Sequence, residues 1–171
     1  MTDHLILREF REAQTLSCAL YSPCETYRYA LTRIWNESAP HLLFIMLNPS
    51  TATEMKNDPT IERCERRARA LGFGAFTACN LFAFRATDPR DLKRAKAPIG
   101  PENLAQLLAA SRRADTILCA WGTHGAHMGM GEAIASLLRA QGYQLHHLGL
   151  SKDGHPKHPL YIGYQRELAP W

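Results

Sequence analysis

The sequence has no paired cysteines of the kind that cross-link small secreted domains. Its 5 cysteines are an odd number, and no two of them form a Cys-x-x-Cys pair. This spacing favours neither a disulfide framework nor a zinc ribbon. Buried, unreactive thiols are the better interpretation.

Long hydrophobic runs are missing as well. The longest mainly apolar run, residues 42–47, is much shorter than the roughly 20 residues that a membrane-spanning helix needs. The first residues, MTDHLILREFRE, carry charges throughout and do not resemble a signal peptide. We therefore expect a cytoplasmic protein without a membrane partner.

Two common nucleotide-binding motifs are absent. No G-x-x-x-x-G-K-[ST] motif occurs, which excludes a P-loop nucleotidase, and the glycine-rich segment 122–131 lacks the dinucleotide fingerprint. His124 and His127 lie in that segment, but no third ligand is indicated, so we expect neither a metal nor another cofactor. A metal-dependent hydrolase that uses the histidines stays an alternative.

Basic residues are present in excess, and they are unevenly placed. The net charge is +4, and residues 56–96 alone hold 10 Lys or Arg against 5 Asp or Glu. Such a segment is where an anionic partner would bind, so the charge pattern favours nucleic acid or a nucleotide. Nothing in the pattern indicates an oligomeric state.

Hydrophobic periodicity predicts an α/β fold. Two β-rich runs at 15–21 and 27–34 predict an N-terminal hairpin, and four mostly apolar runs at 41–47, 75–82, 116–121 and 143–150 alternate with helical segments. Strands that are apolar on both faces are typical of a parallel sheet covered by helices. We expect one domain over residues 1–171, with a hairpin at about 15–34 and an α/β core at about 41–161. We expect this core to be a three-layer α/β/α sandwich with a central four-stranded, mainly parallel sheet.

The first helical segment has a clear start in the sequence. Asp58 can cap a helix that has Pro59 at its first position. The apolar residues of this helix then form one stripe, and its arginines fall on the opposite face. The stripe is Ile61, Cys64, Ala68 and Leu71, and the arginines are Arg63, Arg66 and Arg67.

Polar residues follow each of the four predicted parallel strands. Ligand sites of such sheets lie beyond the carboxyl ends of the strands, which draws attention to these loops. Asn48 and the two segments after the second and last strands offer amides, aromatic rings and imidazoles that suit base recognition and proton transfer. The candidate binding residues are Pro49, Ser50, Thr51, Asn80, Phe82, Arg85, Gly122, His155, Leu160 and Tyr161, and the candidate catalytic residues are Asn48, Asp58 and His158.

Several segments resemble a family of bacterial and phage proteins that is classed as a domain of unknown function. These segments are LNPSTA, DPTI with a following cysteine, NLFAFRATDP, IGPEN, AWG and HPLY, and the resemblance covers roughly residues 27–161. The family carries no established activity that could be transferred to this chain.

Three segments are also similar to motifs of the uracil-DNA glycosylase superfamily, whose fold is a four-stranded parallel α/β/α sandwich. Its members carry Gly-x-Asn-Pro-Gly where this chain has residues 46–50, Asn-Val-Val-Lys-Cys-Arg-Pro-Pro where it has 80–87, and His-Pro-Ser-Pro-Leu where it has 155–160. The chain departs from the superfamily in having no aspartate at the water-activating place, no glycine after Pro49, and no cysteines for an iron–sulfur cluster.

The resemblance implies roles for particular residues. Asn48 would position the attacking water, Asn80 would read the base edge, His158 or His155 would donate to the departing base, and Leu160 would be the wedge. The leading hypothesis is a nucleobase-recognising hydrolase of N-glycosidic bonds in DNA or a nucleotide, with Asp58 or Asp88 as general base. A binding module for a nucleotide or modified base, without chemistry, is the alternative that the missing aspartate favours.

This hypothesis makes two geometric predictions. Asn48, Asn80 and His158 should converge on one pocket at the carboxyl edge of the sheet. If the partner is a polyanion, four arginines should line or flank that pocket, namely Arg63, Arg66, Arg67 and Arg85.

Overall fold

The computed structural model describes residues 4–171, which form one mixed eight-stranded sheet and 4 α-helices. The strands are Ile6–Glu12 (β1), Thr15–Tyr21 (β2), Arg28–Ile34 (β3), His41–Met46 (β4), Ala75–Asn80 (β5), Thr116–Cys119 (β6), Leu145–His147 (β7) and Ala169–Pro170 (β8). The helices are Pro59–Ala70 (α1), Pro89–Arg94 (α2), Asn103–Arg113 (α3) and Met130–Ala140 (α4), with short 3₁₀ segments at Thr123–Gly129 and Pro159–Tyr161. Among these residues no helix is long and apolar enough to cross a membrane.

The sheet is twice as large as the four strands that the sequence predicts. The strand order is β1-β2-β3-β5-β4-β6-β7-β8, and the central strands β5, β4, β6 and β7 pair in parallel. The predicted hairpin corresponds to β2 and β3, but β3 also pairs antiparallel with β5 and thereby joins the main sheet. Strand β1 was not predicted from the sequence, because its residues, ILREFRE, are mostly charged and exposed.

Apolar side chains pack on both faces of the parallel strands. On one face, Phe44 and Met46 of β4 belong to the same buried cluster as Ile61 and Cys64 of α1. On the other face, Ile45 belongs to a second cluster with Leu107 of α3, and with Ile134 and Leu138 of α4. Successive strand residues point to opposite faces, so a strand apolar at every position can fill both clusters.

Helix α1 begins where the sequence predicts. The Asp58 carboxylate accepts a hydrogen bond from the Ile61 N–H at 2.9 Å, and Pro59 occupies the first turn. An N-cap acceptor and a proline without an N–H both suit a helix start, because the first amides have no partner within the helix. The cap places the Asp58 side chain at the carboxyl edge of the sheet.

Two arginines of α1 hold the C-terminal segment in place. Arg67 is only 1% exposed, and its guanidinium donates to the carbonyls of Ile162, Gly163 and Arg166. Arg63 donates to the carbonyl of Pro159. These guanidinium groups bind backbone carbonyls, and neither arginine is among the residues that line the predicted pocket.

The remaining two of the four arginines are also engaged elsewhere. Arg66 forms an exposed ion pair with Glu62 one turn earlier on α1. Arg85 lies over the ring of Tyr21, with 5.2 Å between guanidinium carbon and ring centroid, and donates to the Glu25 carbonyl. The arginines thus do not form a continuous track beside the predicted pocket.

Replacing Arg67 tests whether this clamp stabilises the fold. Arg67→Met keeps much of the apolar stem but removes three hydrogen bonds from a buried guanidinium to backbone carbonyls, so we expect a loss of about 2–4 kcal/mol in the free energy of unfolding. Urea denaturation measures the change. Arg66→Met is the matched control on the same helix, and it should change stability little because that ion pair is exposed. Equal losses in the two variants would contradict the clamp.

Candidate functional site

A small cavity lies at the carboxyl ends of β4 and β5. Its volume is about 40 Å³, and its polar lining comes from Arg28, Asn48, Ser50, Asp58, Thr60, Asn80 and His158, with Pro49 beside them. The three residues that were expected to converge, Asn48, Asn80 and His158, are all in this lining. Because a water molecule needs roughly 10–15 Å³ of such space, the cavity has room for a few waters or a small polar group.

Asn48 is held with its amide nitrogen turned away from the cavity. The Nδ2 group donates to the carbonyls of Ala86 at 2.8 Å, Pro49 at 3.1 Å and Phe84 at 3.4 Å. Since these carbonyls occupy the donor side of the amide, the Oδ1 atom is left as the acceptor. An acceptor of this kind can orient a water molecule but cannot deprotonate it.

Asn80 presents an unpaired donor. It is the last residue of β5, it is 2% exposed, and its Nδ2 has no hydrogen-bond partner within the described structure. Asn103, the first residue of α3, donates to the main-chain carbonyls of Asn80 and Leu81 and so fixes the end of the strand. Sequence reasoning did not identify Asn103, although it lies in the IGPEN segment that contributes to the family resemblance.

His158 has one defined tautomer when it is neutral. Its Nδ1 accepts a hydrogen bond from the Leu160 N–H at 3.3 Å, so the proton of the neutral ring is on Nε2. Burial lowers the pKa of His158 below its usual value of 6.5, while the nearby Asp58 carboxylate acts in the opposite direction. Near neutral pH, the ring is therefore a neutral Nε2–H donor.

Gly122 supports the loop that carries His158. Its N–H donates to the Pro156 carbonyl at 2.8 Å, and its φ of 71° is a left-handed conformation that favours glycine. A Cβ at this position would lie 3.7 Å from the His158 Cβ. Gly122 thus lies beside His158 and supports the His158 loop through a backbone hydrogen bond.

Asp58 lines the cavity but already accepts two hydrogen bonds. Its Oδ1 caps α1 through the Ile61 N–H, and its Oδ2 accepts from the Ala52 N–H at 3.2 Å. A carboxylate has lone pairs for further hydrogen bonds, so these contacts orient Asp58 without excluding a water.

Arg28 is the main residue of the cavity that sequence reasoning missed. It is 2% exposed, its Nη1 donates to the Ala52 carbonyl at 2.7 Å, and its Nε has no partner in the described part of the chain. Burial lowers the pKa of Arg28 to about 10, and the Asp58 carboxylate opposes that shift. The only trace in the sequence is an arginine between Tyr27 and Tyr29 at the start of a β-rich run.

Several predicted binding residues lie away from the cavity. Phe82 is fully buried and packs against His127, with ring centroids 5.3 Å apart, so its ring does not offer a free stacking face. His155 lines a different cavity, between Trp121 and Trp171. Tyr161 is 87% exposed, and Leu160 is half-buried beside it in the 3₁₀ turn.

Thr51 is exposed, while Ser50 reaches the cavity and pairs with Thr87 at 3.2 Å. The histidines do not assemble a metal centre, because residues 4–171 contain no group of three or more His, Cys, Asp or Glu side chains placed to hold a metal ion. The cavity polar groups are thus amide, imidazole, guanidinium, carboxylate and hydroxyl.

Residues 28–160 match the family described as "Protein of unknown function (DUF1643)", and the chain belongs to this family. The match includes every residue of the cavity, from Arg28 to His158. No curated protein and no solved structure matches the chain. The chemistry of the cavity therefore carries the functional argument.

Acid should weaken the fold partly through His158. The pKa of His158 is lower in the folded protein than its usual 6.5, so the unfolded chain binds more protons between the two values, and stability present above pH 6.5 falls as the pH drops through this window. Urea denaturation at a series of pH values measures this loss of unfolding free energy. The loss should be smaller in the His158→Gln variant.

Burial also lowers the pKa of His41 and His147. Protonation of these two residues should therefore still lower the stability of the His158→Gln variant in acid, although less than in the wild type. Superimposable pH profiles of wild type and variant would show that protonation of His158 is not linked to folding.

Proposed function

We propose that the protein recognises a nucleobase at this cavity and hydrolyses the N-glycosidic bond of a nucleotide or of an extruded DNA base. The observation that carries the proposal is the convergence of Asn48, Asn80, Asp58 and His158 on one cavity at the carboxyl edge of parallel strands. The proposed framework is the three-layer α/β/α arrangement of the uracil-DNA glycosylase superfamily, with the antiparallel strands β1–β3 added to it.

The reaction needs one donor and one placed water. As the bond between C1′ and the base nitrogen breaks, its electron pair stays with the base, and the Nε2–H of His158 would donate to the negative charge that develops there. A water oriented by the Asn48 Oδ1 would attack C1′. The water proton would pass to Asp58 and from there, through solvent, to the released base anion, so the products are the free base and a sugar with a hydroxyl at C1′.

The size of the cavity limits how a base can enter. A space of about 40 Å³ accepts the edge of a ring and not the whole ring. We propose that the base edge faces Asn80 while the rest of the ring lies under the 3₁₀ turn at Pro159–Tyr161, where Leu160 would contact it. Opening would require this turn to move away from α1.

The environment of the arginines favours a nucleotide over a long nucleic acid. Arg63 and Arg67 bind backbone carbonyls of the C-terminal segment, and Arg66 is paired with Glu62. Affinity for DNA depends on several free cations that contact phosphates. A ligand held mainly by its base needs fewer of them.

A binding module without chemistry is the second candidate. Both carboxylate oxygens of Asp58 already accept backbone N–H groups, which leaves fewer lone pairs to hold a water and take up its proton. Asn48 cannot replace it as a base, because an amide does not take up a proton near neutral pH. In this alternative the same residues would hold a base or nucleotide without turnover.

Base release distinguishes the two functions. Purified protein is incubated, without added metal, with nucleotides and with oligonucleotides that contain uracil or other damaged bases, and free base and abasic sites are quantified. His158→Ala should slow release by roughly 10²–10³, the loss expected when one donor to developing charge is removed. His155→Ala is the matched control and should retain the wild-type rate, because His155 lines another cavity.

A panel that gives saturable binding but no release from wild type would overturn hydrolysis and leave the binding module. A slow His155→Ala variant beside a normal His158→Ala variant would instead show that the assignment of the donor is wrong.

Asn48→Asp tests whether the amide is fixed as the structure has it. The substitution replaces the Nδ2 donor with an oxygen that faces three carbonyls, so we expect a loss of about 1–3 kcal/mol in unfolding free energy and slower base release. Urea denaturation and the release assay measure both effects. A stable variant with faster release would mean that the loop adapts and that a carboxylate at position 48 serves as the base.

A further inference from the structure

Two buried donors at the cavity lack partners. The Arg28 Nε–H and the Asn80 Nδ2 group both have no acceptor within residues 4–171, and both side chains line the cavity. Buried polar groups in folded proteins are almost always hydrogen-bonded, because leaving a donor unpaired is unfavourable. Two unpaired donors at one cavity indicate a ligand that offers acceptors.

The cavity lining contains one buried cation, Arg28, and one carboxylate, that of Asp58. Arg28 is buried, and the ion pairs of the described chain do not include it. The nearby carboxylate of Asp58 has its two oxygens directed to the N–H groups of Ile61 and Ala52. A buried cation without a contacting anion is unfavourable, so a negatively charged ligand would be stabilised there.

Arg33 also has an unpaired guanidinium nitrogen, but its surroundings differ from those of Arg28. It lies on the same strand, is 4% exposed, and has an unpaired Nη1. However, Arg33 lines an open groove that also contains Glu54, Glu62 and Glu65, which would repel an anion. Within residues 4–171, only Arg28 combines an unpaired buried donor with a second one, on Asn80, at the same cavity.

We propose that the cavity is an oxyanion site, in which Arg28 Nε–H, Asn80 Nδ2 and His158 Nε2–H bind a group of carboxylate size. The inference rests on the proposed function for its biological ligand: the oxyanion would be the oxo edge of the departing base, which carries the negative charge. Arg28 would then be a substrate-binding residue on β3. A free carboxylate or phosphate offers the same acceptor chemistry and serves as the probe.

The test measures the thermal midpoint of the full chain in sodium formate, and separately in sodium phosphate, against sodium chloride at equal ionic strength. Formate at about 100 times its Kd should raise the midpoint by roughly 5–10 °C. Phosphate should act more weakly because of its size. Arg28→Gln should abolish the rise, whereas Arg33→Gln, the matched control, should keep it relative to its own midpoint in chloride.

Asn80→Asp keeps the test decisive if Arg28→Gln does not fold. The substitution places a tethered carboxylate at the cavity beside Arg28, so it should keep the midpoint at or above the wild-type value and eliminate the formate effect. A strongly destabilised Asn80→Asp that still responds to formate would overturn the site. Equal midpoints of wild type in formate and chloride would also overturn it, and would mean that water satisfies the two donors.

The proposed anion site and the proposed hydrolysis can be disproved independently of each other. Formate protection without base release would overturn the reaction and leave the oxyanion site. Base release without formate protection, and with normal release by Arg28→Gln, would overturn the oxyanion site and leave the reaction.

Discussion

The whole arrangement depends on the parallel pairing of β4 with a strand on each side. Strand β4 pairs with β5 on one edge and β6 on the other, and five of its six residues are buried. Parallel neighbours end at the same edge of a sheet, so the loops after β4 and β5 must emerge side by side. Asn48 and Asn80 meet at one cavity for that reason, although 32 positions separate them in the sequence.

Hydrophobic pattern made this part of the molecule predictable. The apolar runs at 41–47 and 75–82 contain β4 and β5, and the Asp58-Pro59 start of α1 followed from capping chemistry. The meeting of Asn48, Asn80 and His158 was expected because all three lie in loops that leave predicted parallel strands or follow the last one. The size of the sheet did not, because β1 is a charged strand and because the pairing of β3 with β5 depends on contacts between distant segments.

The arginines could not be placed from sequence, since charge does not indicate which partner a guanidinium finds. Arg67 was expected on the exposed face of α1, yet it is buried because the segment at 162–166 supplies carbonyls to its donors. Arg28 lies in a strand whose alternation gave no reason to single it out. In both cases the deciding acceptors come from residues far along the chain, so periodicity contains no information about them.

The same reasoning changes the meaning of the positive net charge. An excess of arginine in a sequence indicates an external anion only if the guanidinium groups have no partner within the protein. Here the buried guanidinium groups mostly donate hydrogen bonds to backbone carbonyls of the chain itself. Such internal donors fix loops that lie outside the helices and strands. The segment around His158 is one of these loops. The charge relevant to a ligand is therefore not the net charge but the donor that remains unpaired at a cavity. At Arg28 that donor shares a cavity with the unpaired amide of Asn80, and it is on this pair that we base the proposal of a ligand with acceptor atoms.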